Sequence, residues 1–142
     1  MGNLLKRGTR GQVVLTFLLV LLGVIVLSAC SSSAPSPIAT VQLLSPDAYY
    51  EQFGGGQTHV LIDVRTPEEF ASGHIQRAID IPVEELPDRL SEVPQDIPIV
   101  VYCRTGNRSA TAAQILVKAG FAPVFDLGGI QSWVAAGYPV TR

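Results

Sequence analysis

Short apolar runs alternate with helical segments from residue 41 to the last residue of the chain. Three runs rich in β-branched or aromatic residues are clear strand candidates, at 59–64, 98–102 and 123–127, and weaker candidates lie at 41–44 and 78–82. Strands that alternate with helices form a mainly parallel sheet covered on both faces. The sequence therefore predicts an α/β fold with a central, mainly parallel, five-stranded sheet. Functional residues are expected at the carboxyl ends of its strands.

Capping signals mark the intervening helices. A hydroxyl residue precedes proline at 45–46 and again at 66–67, which places the proline at the first helical position. The second signal continues into Glu69, three residues after the threonine, and this is the spacing of a capping box. A third helix is predicted over 108–119, because its apolar residues fall on one face and Gly120 follows it.

The first 29 residues differ in composition from the rest of the chain. A basic segment (1–12) precedes an apolar run (13–27) of about 15 residues, which is shorter than the ~20 that a helix needs to cross a bilayer. This arrangement is typical of a secretory signal peptide. The run ends in Leu-Ser-Ala-Cys, with the cysteine at position 30, and this ending resembles the lipobox of bacterial lipoproteins.

The lipobox resemblance implies that the signal peptide (1–29) is removed and that Cys30 carries lipid. The protein would then be anchored outside the cytoplasm, on the cell membrane or on an outer membrane where the organism has one. The alternative is an uncleaved anchor helix that ends at Cys30. Residues 30–40 are rich in Ser, Pro and Ala and predict a short extended tether, which leaves 41–142 as one globular domain.

Charge and cysteine usage exclude several classes of function. Residues 31–142 hold seven Lys/Arg against twelve Asp/Glu, which gives a net charge of −5. We therefore expect no nucleic-acid binding, and we expect the domain to contact the membrane only through its anchor. Two cysteines make no disulfide framework, and together with two histidines they are too few for a closed zinc site. We therefore expect no metal.

Cys103 is the residue that most clearly indicates chemistry. It follows the strand candidate 98–102 and begins the loop Cys-Arg-Thr-Gly-Asn-Arg, after which a helix starts. Backbone N–H groups of such a loop, together with Arg104 and Arg108, favour a thiolate and lower the pKa of its thiol. Gly106 lets the backbone turn inward. The alternative is a buried, inert cysteine at a strand end, which does not explain the two arginines.

Segments along nearly the whole domain resemble the single-domain rhodanese-like sulfurtransferases. The matching segments are Leu-Ile-Asp-Val-Arg-Thr-Pro-Glu-Glu-Phe at 61–70, Gly-His-Ile at 73–75, Val-Tyr-Cys-Arg-Thr-Gly-Asn-Arg-Ser-Ala at 101–110 and Leu-Gly-Gly-Ile at 127–130. The resemblance implies a rhodanese-like fold without a cofactor. Cys103 would be the nucleophile that carries the transferred sulfur as a persulfide. The substrate-binding residues would be those of the anion cradle, namely Arg104, Thr105, Gly106, Asn107, Arg108 and Ser109.

Other matched residues are expected to support the site rather than to react. Asp63 and Arg65 follow a strand and are predicted to fix neighbouring loops by hydrogen bonds. His74 is predicted to bond to buried backbone groups, since an attacking thiolate needs no general base. Arg108 has two open interpretations: it holds an anionic donor, or it points outward at the start of the helix.

The same residues are compatible with two alternative functions. Phosphatases and arsenate reductases of the same fold have five residues between the cysteine and the arginine of the loop, whereas four separate Cys103 from Arg108. A non-catalytic rhodanese-like binding module is the second alternative, although such domains often lose the cysteine.

The expected partners are a small anionic sulfur donor and a thiophilic acceptor. We expect a monomer. A thiol outside the cytoplasm meets oxidants, so we expect Cys103 to be kept reduced, to be held as a persulfide, or to be regenerated by a reducing or sulfur-accepting protein partner.

Overall fold

A computed structural model of the protein describes residues 40–142. The signal peptide, Cys30 and nearly all of the tether predicted above lie outside the described residues. The strands are β1 (Val41–Leu43), β2 (Val60–Asp63), β3 (Ile79–Asp80), β4 (Ile99–Cys103) and β5 (Val124–Gly129). The helices are α1 (Pro46–Phe53), α2 (Pro67–Ser72), α3 (Asn107–Lys118) and α4 (Ile130–Ala135), and two short 3-10 turns lie at Leu86–Asp88 and Leu90–Glu92.

The five strands form one sheet in the order β1-β5-β4-β2-β3, and every pairing is parallel. The predicted α/β class and five-stranded sheet are confirmed. The strand β4 lies at the centre of the sheet, between β5 and β2, and all five of its residues are buried. Its carboxyl end, where Cys103 lies, is therefore flanked by the ends of two other strands.

Each face of the sheet has its own apolar core, because side chains alternate between faces along a strand. On one face Val101 and Cys103 of β4 pack with Leu116 of α3. On the other face Tyr102 packs in the cluster formed with α1 and α4, which contains Trp133. Helices thus cover both faces of the sheet, as predicted. Within residues 40–142 no helix is long and apolar enough to cross a membrane.

The predicted helix starts are present. The Ser45 side chain accepts a hydrogen bond from the backbone N–H of Ala48, with Pro46 as the first residue of α1. In α2, Thr66 and Glu69 form the full capping box: the Glu69 N–H donates to Thr66 Oγ1, and the Thr66 N–H donates to Glu69 Oε2. This cap leaves the Glu69 carboxylate fixed near the start of the helix.

Two predicted boundaries at the site are wrong. The strand predicted to end at residue 102 continues through Cys103, which pairs with Gly129 of β5. The strand predicted to end at residue 127 continues through Gly128 and Gly129, which are its last two residues. The reason is a bulge in the β4–β5 register after Val101, which brings Tyr102 opposite Gly128 and keeps both strands paired to their ends.

Candidate active site

The loop after β4 curls around the sulfur of Cys103. The backbone N–H of Gly106 donates a hydrogen bond to Cys103 Sγ over 3.1 Å. Gly106 has a φ of 112°, in a region that L side chains rarely adopt, so a glycine is needed at this point of the turn. The loop then leads into α3. Cys103 itself is almost wholly buried.

Burial and hydrogen bonding act in opposite directions on the Cys103 thiol. Burial raises its pKa, whereas hydrogen bonds from the N–H groups of Ser109, Gly106 and Thr105 and from the Ser109 hydroxyl favour the thiolate. The hydrogen bonds outweigh the burial, so the pKa lies below the ordinary value of a cysteine thiol. Neither Arg104 nor Arg108 is among these leading causes. The thiolate is therefore stabilised chiefly by the dipoles of the loop.

The Ser109 hydroxyl connects the loop to β5. Ser109 is fully buried, and its Oγ lies 2.9 Å from the carbonyl oxygen of Gly106 and 3.2 Å from that of Gly128. A hydroxyl has a single proton, so donation to the Cys103 sulfur competes with donation to these two carbonyl groups. Ser109 thus supports the loop both as a donor to sulfur and as a bridge to the neighbouring strand.

Gly129 makes room for the loop. A Cβ atom at this position would lie 2.6 Å from the carbonyl oxygen of Arg104 and 2.8 Å from the Cα of Thr105. Both atoms belong to the backbone, which cannot move aside without changing the shape of the cradle. The Gly-Gly pair lies in the matched segment 127–130, but its role at the site was not predicted. The pair of adjacent glycines was the signal that could have suggested a close approach.

The guanidinium of Arg108 is bound to Glu69. Nη1 of Arg108 donates to Glu69 Oε2 over 2.7 Å, and Nη2 donates to Oε1 over 3.0 Å. The Arg108 partner holds the pKa of the Glu69 carboxyl at about 2, well below its usual range. Nothing in the sequence indicated this pair, since 39 residues separate the two partners. Arg104, by contrast, is exposed and forms no ion pair within the part of the chain that the structure describes.

Asp63 and Arg65 form a buried ion pair beside the site. Arg65 Nε donates to both carboxylate oxygens of Asp63 over 2.9 Å. Arg65 Nη2 donates to Asp63 Oδ2 over 2.7 Å and to the carbonyl oxygen of Gly73 over 2.7 Å. This last bond connects the end of β2 to the residue that follows α2. The structure thus places both residues in loop-fixing hydrogen bonds.

His74 forms an antiparallel backbone bridge with Thr141. Its Nδ1 donates to the carbonyl oxygen of Phe70 over 3.1 Å, and its ring stacks on the Phe70 ring with centroids 3.8 Å apart. Thr105 and Asn107 are exposed and contribute their backbone to the loop. Among residues 40–142 no group of three or more His, Cys, Asp or Glu side chains is arranged to hold a metal ion.

The model of the Rhodanese-like domain family matches residues 45–136, which include every element from α1 to α4. The chain belongs to the rhodanese-like family. A solved rhodanese-related protein from Thermoplasma volcanium superposes with a TM-score of 0.64 at 36% identity, over 70% of this chain and 97% of that one. A rhodanese with anions from E. coli superposes with a TM-score of 0.54 at 33% identity, over 60% of this chain and 99% of that one.

Relatives of this rhodanese-like domain include proteins named for sulfur transfer. A sulfurtransferase from Allochromatium vinosum is 43% identical over 82 residues, which are 57% of this chain and 77% of the relative. The thiosulfate sulfurtransferase GlpE from Stutzerimonas stutzeri is 39% identical over 75 residues, which are 52% of this chain and 69% of the relative. Family membership together with these names supports a rhodanese-family enzyme.

Proposed function

We propose that the protein is a sulfurtransferase that carries a sulfane sulfur as a persulfide on Cys103. The observation that carries the proposal is the hydrogen bond from the Gly106 N–H to Cys103 Sγ, within a loop that lowers the pKa of the thiol. A ring of N–H donors of this kind stabilises a sulfur anion before and after transfer. Relatives named thiosulfate sulfurtransferase support the same reaction.

The reaction divides into two transfers. The Cys103 thiolate attacks the outer sulfur of thiosulfate, a new S–S bond forms, and sulfite leaves with the electron pair of the old one. The Cys103 persulfide anion then gives its terminal sulfur to cyanide or another thiophilic acceptor, and thiocyanate leaves as the thiolate is regenerated. Such a two-step transfer predicts ping-pong kinetics. In this proposal the amides of residues 104–109 hold the anions, while Asp63, Arg65 and His74 support the loops.

Mass spectrometry tests the proposal directly. The protein is incubated with thiosulfate and weighed intact, and we expect one added sulfur atom that cyanide removes. A Cys103→Ser variant is the control and should gain nothing. Absence of the adduct in the wild-type protein with thiosulfate and also with an alkyl hydropersulfide as the donor would favour the non-catalytic binding module. Release of phosphate from an aryl phosphate at a comparable rate would favour the phosphatase alternative.

We also propose that Cys30 is the lipidated first residue of the mature protein, which would anchor the domain outside the cytoplasm. The Leu-Ser-Ala-Cys ending of the apolar run supports this assignment. Intact-mass analysis after detergent extraction from a bacterial host tests it. We expect a chain that begins at Cys30 with added acyl mass, and a chain that begins at Met1 without acyl mass would contradict it.

A further inference from the structure

The ion pair between Glu69 and Arg108 cancels a positive charge at the edge of the anion cradle. Arg108 is the last residue of the loop signature, and both of its terminal nitrogens donate to Glu69. The side chains of Arg108 and Glu69 are 29% and 26% exposed, so solvent screens this pair less than a fully exposed one. Because the capping box of α2 also fixes Glu69, the carboxylate is held in place on two sides.

From this geometry we infer that Glu69 is a specificity-determining residue, which directs the site toward sulfur donors of low charge, such as alkyl hydropersulfides, and away from dianionic donors such as thiosulfate. The inference rests on the proposed sulfur transfer at Cys103. It assigns Glu69 no contact with the reacting atoms. Its effect is exerted through Arg108, whose charge would otherwise attract a dianion.

The charges around the Cys103 loop also favour donors of low charge. Glu69 remains a carboxylate at all physiological pH values because Arg108 lowers its pKa to about 2. The hydrogen bonds to Glu69 raise the pKa of Arg108, burial lowers it, and the negative charges of Glu69, the Cys103 thiolate and Glu84 raise it further. Arg104, the other cation of the loop, is exposed to water, where its attraction for a ligand is strongly screened. The cradle thus offers many N–H dipoles and little net positive charge.

The favoured reaction balances without a further reactant. The Cys103 thiolate attacks the terminal sulfur of an alkyl hydropersulfide, the bond between the two donor sulfurs breaks, and the alkyl thiolate leaves with the electron pair. The proton of the hydropersulfide stays on the sulfur that is transferred. The thiolate and the neutral hydropersulfide together carry one negative charge, and so do the products. With thiosulfate as the donor, two further negative charges must approach the thiolate.

Alkylation of Cys103 measures the electrostatic potential at the sulfur independently of sulfur transfer. Iodoacetate and iodoacetamide share a leaving group and differ in charge, so the ratio of their rate constants reports how well the site accepts an anion. Normalising to iodoacetamide also removes any change in the fraction of thiolate. The informative variants are Glu69→Gln, Arg108→Gln and the double variant, and Glu68→Gln is the matched control. Glu68 carries the same charge on the same helix and has no bond to Arg108.

Glu69→Gln and Arg108→Gln should change the alkylation ratio in opposite directions. Glu69→Gln frees the charge of Arg108 and retains an oxygen for the helix cap, so the iodoacetate-to-iodoacetamide ratio should rise about three- to tenfold at low salt. Arg108→Gln leaves a lone carboxylate and should lower the ratio. The double variant should return close to the wild-type ratio, and Glu68→Gln should leave it unchanged. The gain in Glu69→Gln should shrink as salt is added, because the Debye length falls to ~10 Å at 0.1 M.

Donor kinetics complete the test. The preference for thiosulfate over an alkyl hydropersulfide, measured as the ratio of their kcat/KM values, should rise in Glu69→Gln in parallel with the alkylation ratio. Equal alkylation ratios in the wild-type protein, Glu69→Gln and Arg108→Gln would overturn the inference, as would a donor preference that stays constant while the alkylation ratio moves. If no variant transfers sulfur from either donor, the proposed function fails, and this outcome is distinct because the alkylation ratios do not depend on it.

Discussion

Cys103 and Gly129 are the paired last residues of neighbouring parallel strands, and the reactive loop turns directly over the glycine. The proposed nucleophile and the space that its loop requires are therefore supplied by two strands that are distant in sequence. The Gln131 N–H, at the start of α4, also donates to the carbonyl oxygen of Arg104 over 3.4 Å. The shape of the cradle depends on β5 and α4 as much as on its own sequence.

Gly129→Ala should damage both the loop and the stability of the domain. The new methyl group would meet the backbone of Arg104 and Thr105 at less than 3 Å, so the loop must shift away from the sulfur. We expect a loss of about 1–3 kcal/mol in the free energy of unfolding, as for other overpacked sites. Sulfur transfer should fall as well, and denaturant unfolding and kcat/KM measure the two effects.

The control for this change is Gly55→Ala. A Cβ atom at Gly55 meets no other atom within 4 Å. This variant should keep the wild-type activity and stability. Full activity in Gly129→Ala would show that the cradle tolerates a wider separation from β5 than we infer.

Asp63→Asn should destabilise the protein strongly, because it leaves the buried Arg65 guanidinium without its counter-charge. Breaking a buried ion pair in this way costs about 3–5 kcal/mol. Glu92→Gln is the matched control, since Glu92 pairs with Arg89 at the surface, where such a pair contributes at most about 1 kcal/mol. Denaturant unfolding compares the two variants, and similar losses in both would argue against the loop-fixing role of Asp63.

The reactivity of Cys103 should depend on pH with a midpoint below that of a free cysteine in the same buffer. The thiolate forms as the pH rises through the lowered pKa of the thiol, so the alkylation rate increases with pH and is lost on the acid side. Ser109→Ala removes the hydroxyl donor and should move the midpoint upward. Ser132→Ala, at an exposed position of α4, should leave it in place. A midpoint equal to that of free cysteine would contradict a stabilised thiolate.

The Glu69–Arg108 pair should also contribute to stability in a pH-dependent way. The pKa of Glu69 falls from 4.5 to about 2 on folding, so its contribution is fully present above pH 4.5 and is lost as the pH falls toward 2. The melting temperatures of the wild-type protein and Glu69→Gln should therefore differ most at neutral pH and converge near pH 2. Thermal unfolding followed by circular dichroism at several pH values measures this.

Glu51→Gln is the control for the acid series, because Glu51 is exposed on α1 and forms no ion pair within residues 40–142. It should follow the wild-type protein at every pH. A gap between the wild-type protein and Glu69→Gln that stays constant down to pH 2 would show that Glu69 stabilises the domain by packing rather than by charge.

The sequence by itself determined the elements and the position of the proposed nucleophile. Strand runs, helix caps and the glycine after a helix depend on residues a few positions apart, so their patterns can be read locally. The capping box of Thr66 and Glu69 is such a case and is present as predicted. The α/β class follows from the alternation of these elements, and the place of Cys103 at a strand end follows from the residues beside it.

Only the tertiary structure decided how the site is completed. The bulge after Val101 aligns Cys103 with Gly129, and the fold brings Glu69 from α2 onto Arg108 of α3. These contacts join residues that are distant along the chain, and they depend on sheet register and helix placement, which local patterns do not encode. The charge around the Cys103 loop is therefore a property of the folded domain, whereas the proposed nucleophile can be identified from the sequence.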